Sequence, residues 1–250
     1  MPEYTAKRAR TRAQLLAAGQ ELLPGAVRRG LDHALAPGPV AQRADVSRQT
    51  WYRYWRADDS AYVEELLAVT LDAVSSLLEP QLAAAATHAD RVADDDDAIE
   101  EARLLARAHF RVVTERQIAI PHMIATALAI EDRYLAVEEG LRPSSAPEIV
   151  RLHHERIRDA LVDAYGALLW RWGRRPAPGS DLARIVDILA ALADGFALRS
   201  PFDSRPGEDD GDRFARAAVA LLEALSVADP SAYRGSGWMR PENPARVTYG

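Results

Sequence analysis

Ser47, Arg48, Gln49 and Thr50, followed closely by Tyr52, Arg53 and Tyr54, put hydroxyls, a carboxamide and guanidinium groups into one short run. A guanidinium can grip guanine through two parallel N–H groups and a carboxamide can grip adenine, each pairing being worth roughly 1–3 kcal/mol of base discrimination. Hydroxyls and further guanidinium groups bond phosphate oxygens, which fixes register without reading sequence. This is the chemistry of duplex recognition if the residues lie on one helix. The bland alternative is that Trp51-Tyr52-Arg53-Tyr54-Trp55 simply packs a small bundle.

The surrounding sequence supplies the elements. Over residues 5–23, Leu15, Leu16, Ala18, Gly19, Leu22 and Leu23 recur at helical spacing and predict an amphipathic helix, stopped by Pro24-Gly25. Residues 26–36 have no clear pattern. Pro37-Gly38-Pro39 suits a first helical turn, and residues 40–44 read as a short helix. Asp45-Val46 makes a tight connection, after which Ser47 is a good N-cap for a helix over 48–56. Two short helices across a tight turn, behind a longer one, form a helix-turn-helix arrangement. Such a unit lays the first turns of its last helix on base edges, which places Arg48 and Gln49 there and leaves Ser47, Thr50, Tyr52, Arg53 and Tyr54 to position the helix. Trp51 and Trp55 share the opposite face with Val46 and are expected to plug it against the first two helices.

Charge follows the same division. The whole chain of 250 residues carries 31 basic and 37 acidic residues, a net of −6. Residues 4–56 alone hold 10 basic residues against 3 acids, a net of +7, whereas 57–250 holds 21 against 33, a net of −12. A basic end on an acidic body points to a polyanionic partner for that end. Lys7 to Arg12 are expected either as an arm reaching the duplex or as a solvated helix start.

Beyond residue 58 nearly everything reads as helix: 60–79, ended or kinked by Pro80, then 98–117, 120–140, 147–173, 181–199 and 212–228. Residues 200–211 read as a polar loop and 229–250 as an irregular tail rich in Pro and Gly. No alternating strand pattern is found.

The motif residues resemble the TetR family of transcriptional regulators over residues 12–67. The run Arg12 to Leu23 is similar to that family's first helix, and Val40-Ala41-Gln42-Arg43-Ala44-Asp45-Val46-Ser47-Arg48-Gln49-Thr50-Trp51-Tyr52-Arg53-Tyr54-Trp55 to its second and third. Two positions depart from the family pattern: Asp45 stands where the turn often has glycine, and Asp58 where a phosphate-touching lysine is usual. The resemblance implies an all-α protein with a three-helix DNA-binding head over 1–58, a helical effector-binding and dimerisation domain over 59–228, and the tail over 229–250. It implies a homodimeric regulator, a repressor released from its DNA operator by a small-molecule effector. The rival reading is a helical small-molecule binder or enzyme whose head no longer reads DNA.

Apolar helices with a few polar groups are where small molecules bind. On that ground Arg103, His109, Phe110, His122, Met123, Thr126, Tyr165 and Trp170, with Tyr134, are candidates for the effector pocket. For the dimer, the candidates are Leu182, Ile185, Val186, Leu189, Leu192, Ala193 and Phe196, then Phe214, Ala218, Leu221, Leu222 and Leu225, faces that could equally fill the monomer core.

Other chemistries find no support. The absence of cysteine removes disulfides, thiol nucleophiles and Cys-ligated metals. Asp94 to Asp97 read as a helix start rather than a metal site. His153-His154-Glu155 lacks the i, i+3 or i, i+4 spacing that metal ligands need on a helix, and no phosphate loop or nucleophile motif occurs. No cofactor, metal or catalytic residue is expected. The charged N-terminus and the longest uncharged apolar stretch, 118–130, predict a cytoplasmic protein with no membrane span, for which about 20 apolar residues are needed.

Overall fold

The computed structural model describes residues 2–56, 59–87, 95–138, 145–203 and 209–229. Its elements are α1 (Pro2–Arg29), α2 (Leu31–Ala34), α3 (Pro37–Arg43), α4 (Arg48–Trp55), α5 (Asp59–Thr87), α6 (Asp95–Thr114), α7 (Arg116–Glu138), α8 (Ala146–Arg171), β1 (Arg174–Pro176), α9 (Leu182–Asp203), α10 (Asp210–Leu225) and β2 (Ser226–Ala228). They form two compact units, 1–74 with 116–153 and 75–115 with 154–250, so that α5 and α8 each contribute to both. Among the described residues no helix is long and apolar enough to cross a membrane.

The first unit closes around Leu15, Leu16, Leu23, Val40, Trp51, Trp55, Tyr62, Leu66, Leu67 and Leu71, with Ile124, Ala125 and Val150 from α7 and α8. It extends beyond the 1–58 segment expected for the head because α5 supplies one wall of that core. Two features of α1 set its geometry. Tyr62 donates its hydroxyl proton to the Leu15 carbonyl at 3.2 Å. A Cβ on Gly19 would lie 2.2 Å from that hydroxyl, so only glycine lets the helices approach this closely. The expected stop at Pro24-Gly25 is corrected: α1 runs through Pro24 to Arg29. Leu23 and Ala26 are buried on either side of the proline, and their packing outweighs the one ladder bond it removes. Gly30, at φ 81, ends the helix instead.

The second unit has its own core, in which Phe110, Tyr165, Leu168, Trp172, Ile185, Leu189, Phe214 and Leu222 are prominent. The candidates on the last two long helices divide in burial, with Leu182, Leu192, Phe196, Leu221 and Leu225 only partly buried against this core. Ile185, Val186, Leu189, Ala193, Phe214, Ala218 and Leu222 all fill the core of their own chain. Three further expectations are corrected. Pro80 does not end its helix, since α5 continues to Thr87. A small sheet also exists: β1 pairs antiparallel with β2, Arg175 facing Val227. Three-residue strands are too short to show alternation, and this pair is held by a side chain. The Arg174 guanidinium donates to Ser226 Oγ at 2.7 Å and to the carbonyls of Glu223 and Ser226 at 3.0 and 2.8 Å, capping the end of α10. α9 also extends to Asp203 through part of the expected polar loop. Asp58, Asp94 and residues 230–250 of the tail lie outside the described residues.

Candidate nucleic-acid interface

The turn between α3 and α4 is made by Asp45 at φ 54, a left-handed conformation that aspartate tolerates better than most side chains. Backbone bonds from Asp45 N–H to the Gln42 carbonyl (3.2 Å) and from Val46 N–H to the Ala41 carbonyl (3.0 Å) close it. Ser47 then caps α4, its Oγ accepting from Thr50 N–H at 3.2 Å. The two hydroxyls, Ser47 Oγ and Thr50 Oγ1, also bond each other at 2.9 Å.

The two faces of α4 do different work. Trp51 is 0% exposed and Trp55 nearly so. They pack with Tyr62 in an aromatic cluster whose ring centroids are 4.8–5.4 Å apart. Trp55 Nε1 donates to Glu65 Oε2 at 2.9 Å, and the same oxygen accepts from Arg12 at 2.6 Å. A single carboxylate thus ties α1 and α4 to α5. Burial, with Glu65 adding to it, pushes the Tyr62 phenol well above its ordinary pKa and keeps it neutral.

The opposite face is exposed at Arg48, Gln49 and Arg53, which the helical period brings onto adjoining rows. Arg53 has no charged partner among the described residues, nor do Lys7 and Arg10 on the first turns of α1. Arg48 donates through Nε and Nη2 to the Tyr52 hydroxyl at 3.1 and 2.8 Å. Tyr54 is arranged differently: its hydroxyl donates to the Arg8 carbonyl at 3.0 Å, and the Arg8 guanidinium lies 5.7 Å from the centre of its ring. With its one proton committed to α1, Tyr54 acts as a strut between helices. The start of α1, Lys7 to Arg12 included, is helical.

Sequence reasoning did not find Glu65 or the contacts through which it, Arg8 and Arg12 orient this face without lying on it. Glu65 stands three residues beyond Tyr62, so both share one side of α5, and that spacing was the signal available.

The candidate effector residues divide between the units. Arg103, His109, Phe110, Tyr165 and Trp170 fall in the second and His122, Met123 and Thr126 in the first. His109 Nδ1 lies 3.3 Å from the Tyr165 hydroxyl, and Phe214, not among the expected pocket residues, stacks on Phe110 at 5.4 Å and meets His109 edge-on at 5.6 Å. Burial holds the His109 pKa down to about 4 and pushes the Tyr165 phenol up, so both are neutral at pH 7. Arg103 instead pairs with Glu100 at 3.2 Å on its own helix, and Trp170 is half-buried. In the first unit the His122 ring lies 5.5 Å from that of His153, Thr126 Oγ1 is buried without a hydrogen-bond partner, and Met123 is 54% exposed. The Tyr134 side chain lies outside the described residues. Among the described residues no group of three or more His, Cys, Asp or Glu side chains is placed to hold a metal ion.

No family model matches the chain, and no curated protein does. A solved structure does: that of a protein from Mesorhizobium loti MAFF303099 assigned to the TetR family of transcriptional regulators, with a TM-score of 0.61 and 16% sequence identity, the match covering 88% of this chain and 98% of the other. At that identity the likeness is one of fold, and this chain accordingly has the all-α architecture of that regulator, the fold that the residues from Val40 to Trp55 resemble.

Proposed function

We propose that this chain is a TetR-family transcriptional regulator that binds duplex DNA sequence-specifically through α4. The observation that carries the reading is the two-sided character of that helix. Trp51 and Trp55 anchor one side, and the other presents Arg48, Gln49 and Arg53 to solvent beside a strongly basic α1. In this reading residues 1–58 are the DNA-binding segment, with Arg48 and Gln49 at base edges and Ser47, Thr50, Tyr52, Arg53 and Tyr54 setting the helix on the backbone. Tyr54 does so through its bond to α1, and Ser47 by holding the first turn.

The remainder, 59–228, is the effector-binding and dimerisation region of a repressor. His109 and Tyr165, a neutral polar pair among Phe110, Phe196 and Phe214, suit an uncharged, partly aromatic effector that offers one hydrogen-bonding group. For the two-fold contact, α9 and α10 offer the partly buried Leu192, Phe196, Leu221 and Leu225 together with the exposed Ile188 and Leu198. An effector that binds the DNA-free state more tightly than the bound one releases the operator by that difference in affinity alone.

The test is selection of bound duplex from a random pool by the full-length chain. The reading expects enrichment of a two-fold symmetric site whose halves are spaced about one helical turn, roughly 34–36 Å, or its equivalent. A pool that stays random contradicts it.

A further inference from the structure

Arg48 and Tyr52 sit four residues apart on α4, with the guanidinium carbon 5.5 Å from the centre of the tyrosine ring and two of its N–H groups on the tyrosine hydroxyl. The chemistry of that contact is directional. A guanidinium has five N–H donors, arranged along two usable edges. The Tyr52 oxygen takes the side edge, Nε–H and one Nη2–H. What remains is the end edge, Nη1 with the second Nη2–H, a parallel pair of the kind that fits guanine O6 and N7. The Tyr52 hydroxyl accepts twice here, so its own proton stays available for a phosphate oxygen.

We propose that Tyr52 is a positioning residue for base specificity: its hydroxyl clamps Arg48 by the side edge, presents the end edge to a guanine in the major groove, and ties that orientation to a phosphate. This rests on α4 being a DNA-reading helix and deepens that reading. It assigns Tyr52 a role that a backbone contact alone does not have. An unclamped arginine samples many rotamers, and each must be given up on pairing with a base. One already held by its neighbour loses less freedom on binding, and the gain falls only on the base that matches the presented edge. Tyr54, two residues on, cannot substitute, because its proton is committed to Arg8. Among the described residues Arg53 has no such neighbour, which leaves it to attract phosphate whatever the sequence.

Arg48 is exposed and the Tyr52 ring is half-buried against the core of the first unit, so Tyr52→Phe leaves the ring against Trp51 and removes only the hydroxyl. The experiment compares the full-length wild type, Tyr52→Phe, Arg48→Ala and the double variant on a duplex selected by the wild type and on duplexes with each base pair changed in turn. Thermal unfolding confirms that each variant is folded. In the wild type, replacing one guanine per half-site should weaken binding about tenfold or more, and this preference should vanish in Arg48→Ala. Tyr52→Phe should bind the selected duplex more weakly and retain no more than about a threefold preference for that guanine, and the double variant should show the preference of Arg48→Ala. If Tyr52→Phe loses affinity by one common factor on every duplex and keeps the full preference, Tyr52 is a phosphate contact only and the proposal is wrong. A guanine preference that survives Arg48→Ala also overturns it. A wild type that selects no sequence overturns the DNA reading itself, a separate outcome.

Discussion

The two compact units place their polar chemistry on opposite sides of their cores. In the first, Trp51, Trp55 and Tyr62 fill the interior, and Arg48, Gln49 and Arg53 stand outside it. In the second, the polar pair is inside: His109 and Tyr165 are buried with Phe110 and Phe214. Both units pair arginines with carboxylates, Arg12 with Glu65, Arg43 with Glu21 and Arg151 with Glu148 in the first, but the first also keeps cations that face none. Arg103, Arg107, Arg156, Arg158, Arg171 and Arg213 of the second unit each face a carboxylate of that unit. Lys7, Arg10 and Arg53 of the first face none among the described residues, and Arg48 is held by a phenol that leaves its charge intact. Charge neutralised within the fold supports that fold. Charge left unneutralised next to an anchored helix is available to a polyanion, whereas a polar pair bonded inside the core is shielded from water.

The strongest way to break the first half of that contrast is to remove its anchor. Trp51→Ala deletes a fully buried indole, and a change of that kind costs about 3–5 kcal/mol. The variant should lose DNA binding together with the cooperative unfolding of the first unit, followed by thermal denaturation. For the second unit the corresponding lever is acid. The His109 pKa is about 4 in the fold against 6.5 in the unfolded chain, so at pH 7 both states are neutral and there is no penalty. As pH falls from 6.5 toward 4, only the unfolded state gains the proton, and stability should drop by up to roughly 3 kcal/mol before levelling off. Urea unfolding at pH 7 and pH 4.5 measures the loss, and in His109→Phe this part of the pH dependence should be gone.

Smaller substitutions sharpen the comparison of the arginines. Arg53→Ala should weaken binding to every duplex by a similar factor and lower the slope of log affinity against log salt by about 1. Arg158→Ala, which breaks the exposed pair with Asp187, should leave DNA affinity unchanged and alter stability by about 1 kcal/mol or less, read from the same denaturation curves. Equal effects of the two on DNA binding would remove the distinction between paired and free charge.

The head was legible in the sequence because its determinants are local. The cap at Ser47, the turn residue Asp45 and the four-residue spacing of Trp51 and Trp55 each state their role within a few positions. What escaped depends on distant partners. Pro24 and Pro80 read as breaks by local rules, but tertiary packing carries α1 and α5 across them. The Arg12–Glu65 and Tyr54–Arg8 contacts join residues more than 40 positions apart, beyond any periodicity. The apolar faces of α9 and α10 look the same in sequence whether they meet their own chain or another. The polar residues within apolar runs could be named, but nothing local indicates that His109 meets Tyr165 while Arg103 turns to Glu100.

Positive charge that the first unit leaves free for a phosphate backbone makes binding depend on salt. The most direct test is the affinity of the full-length chain for a selected duplex across graded salt. Log affinity should fall linearly with log salt, by about 0.9 for each phosphate contacted. An affinity that stays level as salt rises would contradict it.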